Sequence, residues 1–186
     1  SFTGQSGTNI NAFQPLTEQP TIFPTALIAR CLSSLPEAGH LNHKAADFLL
    51  SQRSSEWSWN YWRRGVPKEQ APHYPDDLDD TTNALAALQL ITPAVIDGTV
   101  LGQVARLLIS AEAQNGGPYC TWLNAPPGKD WQDVDPVVNA NIGYFLSLQG
   151  VSVPSLNNFL DHCLQKRSLT SPYYVGTIPC LYFLSS

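Results

Sequence analysis

Apolar positions in this chain follow a helical period, and the pattern comes in copies. Residues 25–32, 83–90 and 139–146 are each an apolar helical stretch, ended by Pro36, Pro93 and Gly150 respectively. A second stretch follows each of them, at 45–52, 104–111 and, more weakly, 160–165. There apolar residues recur at i, i+3 and i+4, which makes one sticky face per helix. Each second stretch leads into a loop rich in Trp, Tyr and Gly, at 57–62, 115–122 and 172–176. Residues 178–186 then read as the first helix of a fourth unit. The copies are offset by about 57 residues, longer than the roughly 20–50 usual in repeat arrays.

The pattern predicts an all-α fold of stacked antiparallel helical hairpins, about three and a half of them. One hairpin cannot bury its apolar face alone, so neighbours must stack into a continuous core. Period-two runs of β-branched residues are absent, which argues against strands. Residues 1–20 read as an arm over the surface, and 21–186 as the helical domain. The stretches 63–76 and 123–136 are long loops leading into the next first helix, and long loops in compact domains tend to be functional.

A chain of 186 residues is enough for one core. Charged residues are only 13% of it while 10% are aromatic, so a large apolar surface is buried or faces a ligand. The net charge of −5 argues against nucleic acid as a partner. Arg63-Arg64 and Lys166-Arg167 are the basic pairs, and both read as solvated surface. No apolar run approaches the roughly 20 residues that span a bilayer, and peripheral membrane contact stays open. The first residues are polar, with no signal peptide and no methionine, so the chain reads as processed or as a cut piece. Cys31, Cys120, Cys163 and Cys180 are far apart and read as reduced, packed thiols. A cytoplasmic location is the expectation from these features.

The candidate chemistry lies in the segment 74–81, where Asp76, Asp77, Asp79 and Asp80 stand just before an apolar helix. Carboxylates this close cannot all ionise freely in a partly buried place unless a cation neutralises them. They point to a stored proton or a metal. A helix N-terminus favours negative charge, so capping is the plain alternative. Aligning Asn83-Ala84 on Asn139-Ala140 places Asp77 on Asp133 and Asp79 on Asp135. In that register the surplus acids are Asp76 and Asp80. Capping accounts for one carboxylate per helix and accounts poorly for four.

The string Asp77-Leu78-Asp79-Asp80-Thr81 resembles the Asp-x-Asp-Asp-Thr motif of class II terpene cyclases, the squalene–hopene and diterpene cyclase type. The stretch from Leu50 to Trp59 resembles that family's Gln…Trp repeat, with altered spacing and without its usual Gly. Residues 113–119 resemble its Gln-x-x-Gly-Gly-aromatic turn. The resemblance covers most of residues 20–186, and its specificity lies at 77–81. It implies a partial (α/α) toroid with about half of the family's usual six hairpins: a fragment, one half of an assembly, or a relative without catalysis. Self-association or a second half-toroid is then expected.

The resemblance further implies protonation-initiated cyclisation of a linear isoprenoid, either a prenyl diphosphate or a squalene-like molecule. Asp79 would be the proton donor, tuned by Asp77 and Asp80, with Thr81 supporting the helix start. An alkene is a poor base, so such an acid must be preorganised in a dry site. The cations formed need aromatic faces. Trp57, Trp59, Tyr119 and Trp122 are the expected substrate contacts, with Tyr61, Trp62 and Trp131 also available. Some family members place a His near the acid, and His73 is close in sequence. No cofactor is implied, and magnesium enters only with a diphosphate substrate.

Two other readings use the same residues. Asp76, Asp77 and Asp80 also satisfy Asp-Asp-x-x-Asp, a magnesium–diphosphate pattern of class I terpene synthases and chain-elongating prenyltransferases. Stacked hairpins also make concave surfaces that bind proteins or lipids without catalysis. No phosphate loop, dinucleotide fingerprint, Gly-x-Ser-x-Gly or Cys-x-x-Cys is present. His40 and His43 form a lone His-x-x-His without further ligands nearby.

Overall fold

The computed structural model describes residues 21–67, 74–124 and 131–185. Within them the fold is all-α: α1 (Phe23–Leu32), α2 (Gly39–Gln52), α3 (Leu78–Ile91), α4 (Gly98–Ser110), α5 (Pro136–Leu148), α6 (Pro154–Lys166) and α7 (Ile178–Ser185). That is three hairpins and a single last helix, the stack that the repeats predict. Among the described residues the extended pairings are isolated bridges, with no strand. The expected arm at 1–20 and His73 lie outside the described residues.

Two burial patterns separate the helices. In α2 the buried positions are Asn42, Ala46 and Leu49, in α4 Val100, Val104, Leu107 and Leu108, and in α6 Leu156, Leu160 and Cys163. Each is a single stripe at helical spacing. In α3, by contrast, every residue from Asp80 to Leu88 is buried, and α5 is buried from Val137 to Ile142. A helix covered all round is an inner helix. The packing order agrees: α1 lies beside α3, α3 beside α5 and α5 beside α7, while α2 rests on α1 and α3 and α6 on α5. Ala84, Ala86, Ala87 and Ala140 let these inner helices approach closely, and Leu85, Leu88 and Ile142 fill the space between them. Each such fully buried large side chain contributes roughly 1.5–3 kcal/mol. One cluster of buried residues runs from Ile22 to Phe183. The last helix leaves Ile178 and Leu181 exposed.

Aspartates start three of the helices. Asp77 Oδ1 accepts from the Asp80 N–H at 2.7 Å, Asp97 from Val100 at 2.9 Å, and Asp135 from Val137 and Val138 at 2.7 and 3.0 Å. Each satisfies helix N–H groups that would otherwise be orphaned. These caps correct the register of the repeat. Asp77 corresponds to Asp135, not to Asp133. One turn on, Thr81 Oγ1 accepts from the Trp59 N–H and Asn139 Oδ1 from the Tyr119 N–H, both at 2.9 Å. Thr81 therefore corresponds to Asn139, and Asn83 to Asn141. The alignment on Asn83 and Asn139 was two residues out because both helices carry Asn among small apolar residues, so local similarity fits either register.

The loops are laced onto the start of α3. Asp77 N–H donates to Trp59 O at 3.1 Å, Leu78 N–H to Thr121 O at 2.7 Å and Leu123 N–H to Asp76 O at 2.8 Å. The two aromatic loops are thereby held on either side of the acid segment.

Candidate active site

A cavity of about 580 Å³ opens at the N-terminal ends of α1 and α3. Its lining is Phe23, Tyr61, Trp62, Tyr74, Asp77, Asp79, Asp80, Thr121, Trp122, Tyr173 and Tyr174. Seven of these eleven are aromatic, three are carboxylic acids, and none is basic. Trp131 backs the wall, with its ring 5.0 Å from Trp122 and 6.4 Å from Tyr74. Trp122 is held by its indole N–H, which donates to the Tyr173 hydroxyl at 3.0 Å. That hydroxyl in turn donates to Asp133 Oδ2 at 2.9 Å, as does Thr121 Oγ1 at 2.7 Å. Asp133 is thus a brace for the wall, whereas capping belongs to Asp135.

The three expected acids meet at this cavity with different surroundings. Asp77 is 3% exposed and spends one oxygen on its own helix. Asp80 is also 3% exposed, and its Oδ1 has no partner. Burial first pushes Asp77 and Asp80 well above the ordinary carboxylate range, and repulsion adds to it, from Asp80 and Asp79 on Asp77 and from Asp79 on Asp80. Two such carboxyls must retain a proton between them.

Asp79 is half-buried and better supplied with donors. The Tyr174 hydroxyl donates to its Oδ2, and Asn141 Nδ2 donates to its Oδ1 and backbone oxygen, both at 3.1 Å. Burial raises the Asp79 carboxyl, these two donors hold it down, Asp135 raises it and Arg30 lowers it, and the result is about 6. Burial and the neighbouring Asp79 push Tyr174 far above its ordinary value. It stays a hydroxyl, and so a donor, throughout the range in which Asp79 titrates.

The structure redistributes the expected aromatic contacts. Trp122 is in the wall. Trp59 is not: it is fully buried, and its indole N–H donates to Leu49 O at 2.8 Å. Tyr119 is 4% exposed and pinned through its backbone to Asn139. Trp57 packs edge-on against Trp59 and lies under the Arg53 guanidinium, away from the cavity. Tyr61, Trp62 and Trp122 line the opening instead. Asp76 also turns away. Its Oδ2 accepts from Ser58 Oγ at 2.5 Å and lies 4.0 Å from Arg64 Nη2. Asp76, Asp77 and Asp80 therefore do not converge as one set. Among the described residues no group of three His, Cys, Asp or Glu is placed to hold a metal.

Three contributors were not singled out from sequence. In the sequence Tyr174 is one aromatic among several in the loop at 172–176. Asn141 and Arg30 stand within apolar helical stretches, where a polar or charged residue is itself the signal. His40 and His43 are exposed on α2. The four cysteines are free, with Cys163 and Cys180 buried and Cys31 exposed. No described helix is long and apolar enough to cross a membrane. No protein-family model, curated protein or solved structure matches this chain.

Proposed function

We propose that the cavity is the site of an acid-initiated cyclisation of a linear isoprenoid, as in class II terpene cyclases, with Asp79 as the proton donor. The observation that carries this reading is a cavity lined by three carboxylic acids and a wall of aromatic faces, with no basic side chain in the lining. A site for an anion needs cations, and a site for a carbocation needs the reverse.

Asp79 gives its proton to a terminal alkene carbon or an epoxide oxygen of the substrate. The electron pair of the alkene, or of the broken C–O bond, leaves a tertiary cation on carbon. The next alkene attacks it, forming a C–C bond and passing the cation along. Loss of a proton to water ends the sequence, and solvent returns a proton to Asp79, so the net change is an isomerisation. An apolar substrate displaces water from the cavity and raises the protonated fraction of Asp79. Asp79 is the acid whose carboxyl is held by Tyr174 and Asn141, which fixes its orientation toward the substrate. The faces of Trp62, Trp122 and Tyr74 stabilise the cation by roughly 0.5–2 kcal/mol each.

The test is incubation with squalene, oxidosqualene and geranylgeranyl diphosphate, with products read by mass spectrometry. Cyclic isomers of unchanged mass from one of them, absent with Asp79→Asn and insensitive to a chelator, are expected. Cyclic product retained by Asp79→Asn, or none from any substrate, overturns the reading. Loss of product on chelation transfers it to the magnesium–diphosphate alternative.

A further inference from the structure

Arg30 is the least expected charge in the fold. It lies in α1 and is 6% exposed. Among the described residues no carboxylate stands at ion-pair distance from it. Its guanidinium carbon lies 4.1 Å from the centroid of the Tyr144 ring and 5.3 Å from that of Phe183, and its Nε has no hydrogen-bond partner. Burying a guanidinium costs several kcal/mol, and an apolar residue of similar volume is often the more stable choice. Its neighbours Ala26 and Ala29 are apolar, as the core requires. The charge therefore calls for a reason other than packing.

The reason lies in two amides. Arg30 Nη1 donates to Asn83 Oδ1 at 2.6 Å and to Asn141 Oδ1 at 3.2 Å. Arginine has donors only, so each amide must turn its oxygen to Arg30 and its NH₂ group the other way. In both cases the other way is Asp79. Asn83 Nδ2 donates to the Asp79 backbone oxygen at 3.3 Å, and Asn141 Nδ2 to that oxygen and to the carboxylate at 3.1 Å. Rotating either amide would set its NH₂ against the guanidinium and its oxygen against Asp79. The two asparagines hold equivalent places in successive copies of the repeat, so α1 locks α3 and α5 onto one acid.

We propose that Arg30 is a positioning residue for Asp79: through Asn141 it fixes a donor to this carboxyl, through Asn141 and Asn83 it fixes the donors to the Asp79 backbone oxygen, and it supplies the buried positive charge that faces Asp79 once its proton is gone. The other groups facing Asp79 are Asp77, which caps α3, Asp80 in its first turn, Asp135 at the start of α5 and Tyr174 before α7. All are acids or hydroxyls, and none supplies a positive charge. The catalytic meaning of the relay rests on the cyclisation reading above, whereas the relay itself does not.

The test is a carboxyl infrared titration of the full chain, with Asp79 isolated by difference from Asp79→Asn. The wild-type midpoint is expected at about 6. Arg30→Gln and Asn141→Leu should each raise it by about one pH unit or more. Arg30→Lys, which keeps the charge, should raise it less than Arg30→Gln. If Arg30→Gln does not fold, Asn141→Leu and Arg30→Lys carry the test. An unmoved or lowered midpoint in Arg30→Gln or Asn141→Leu, or an Arg30→Lys midpoint as high as that of Arg30→Gln, overturns the relay. Turnover is measured in parallel. Cyclic product with an unmoved midpoint sinks the relay alone, and a moved midpoint without wild-type product sinks the cyclisation reading alone.

Discussion

Replacing Asp79 by Asn should stabilise the protein while abolishing turnover. The Asp79 carboxyl takes up its proton at about 6, against an ordinary 3.8. Ionising it inside the fold therefore costs up to about 3 kcal/mol more than in the unfolded chain. The residue is half-buried, and water at the cavity mouth screens part of that cost, so about 1–3 kcal/mol is expected. Between 3.8 and about 6 the folded chain keeps a proton that the unfolded chain has released. Stability from this group is thus present at low pH and lost as pH rises through about 6. Asparagine mimics the protonated acid: its oxygen still accepts from Asn141, and its NH₂ can donate to the Tyr174 oxygen. At about pH 7.5 the variant should be more stable by about 1–3 kcal/mol, or about 2–10 °C in Tm for a chain of this size. The gap should close as pH falls toward about 4. Urea unfolding of both proteins across that range, followed by circular dichroism, measures it. A variant less stable at neutral pH, or a gap that does not change with pH, would refute the reasoning.

Other outcomes follow from the same geometry. Trp59→Ala should cost about 3–5 kcal/mol in urea unfolding, because the side chain is fully buried and hydrogen-bonded. Trp122→Leu should leave stability nearly unchanged and weaken binding of an apolar fluorescent probe several-fold; the reverse pattern would exchange the roles assigned to the two indoles. Asn139→Ala should cost about 2–4 kcal/mol, since its amide satisfies Tyr119 on both sides and Asp135 O, and a melting temperature within error of wild type would contradict that. Tyr174→Phe should raise the Asp79 midpoint above 6, because a donor to the carboxylate is lost; an infrared titration with no shift would show that the hydroxyl does not hold the acid.

Helix number and order were legible because they rest on local periodicity and on breakers. The all-α class, the three hairpins and the lone last helix needed nothing beyond the spacing of apolar residues. The acid segment was legible for the same reason, being contiguous. The cavity wall was not. Whether a loop indole faces the core or the opening depends on how that loop is laced to its neighbours, and the lacing of Trp59, Asp77 and Trp122 joins residues far apart in sequence. Tyr174 reaches Asp79 from 95 residues away and Asn141 from 62. No pattern at helical range carries such partners. What the sequence did hold was a warning at Arg30, a lone charge in an apolar stretch, whose reason appears only when α1, α3 and α5 are brought together.

The corrected register changes what is special about the acids. With Asp77 matched to Asp135, both are ordinary caps, and the aspartate that opens the helix is a feature of the scaffold. Asp79 then corresponds to Val137 and Asp80 to Val138, both fully buried. The same two places after the cap hold valines in one copy and carboxyls in the other. Valine there contributes burial at no electrostatic cost, so the carboxyls of α3 replace a stabilising arrangement with a costly one. Stability cannot account for that exchange, and capping does not need it. The matched pair Asn83 and Asn141 sharpens the contrast. Both copies keep an asparagine one turn further on, and both asparagines turn toward Asp79, so the second copy lends its side chain to the acid of the first. The copies thus differ at the cap-adjacent pair, where both carboxyls of α3 are costly, and cooperate one turn later, where both asparagines turn toward Asp79. Asp79 is the one that receives those donors, which is what the proposed proton donor requires.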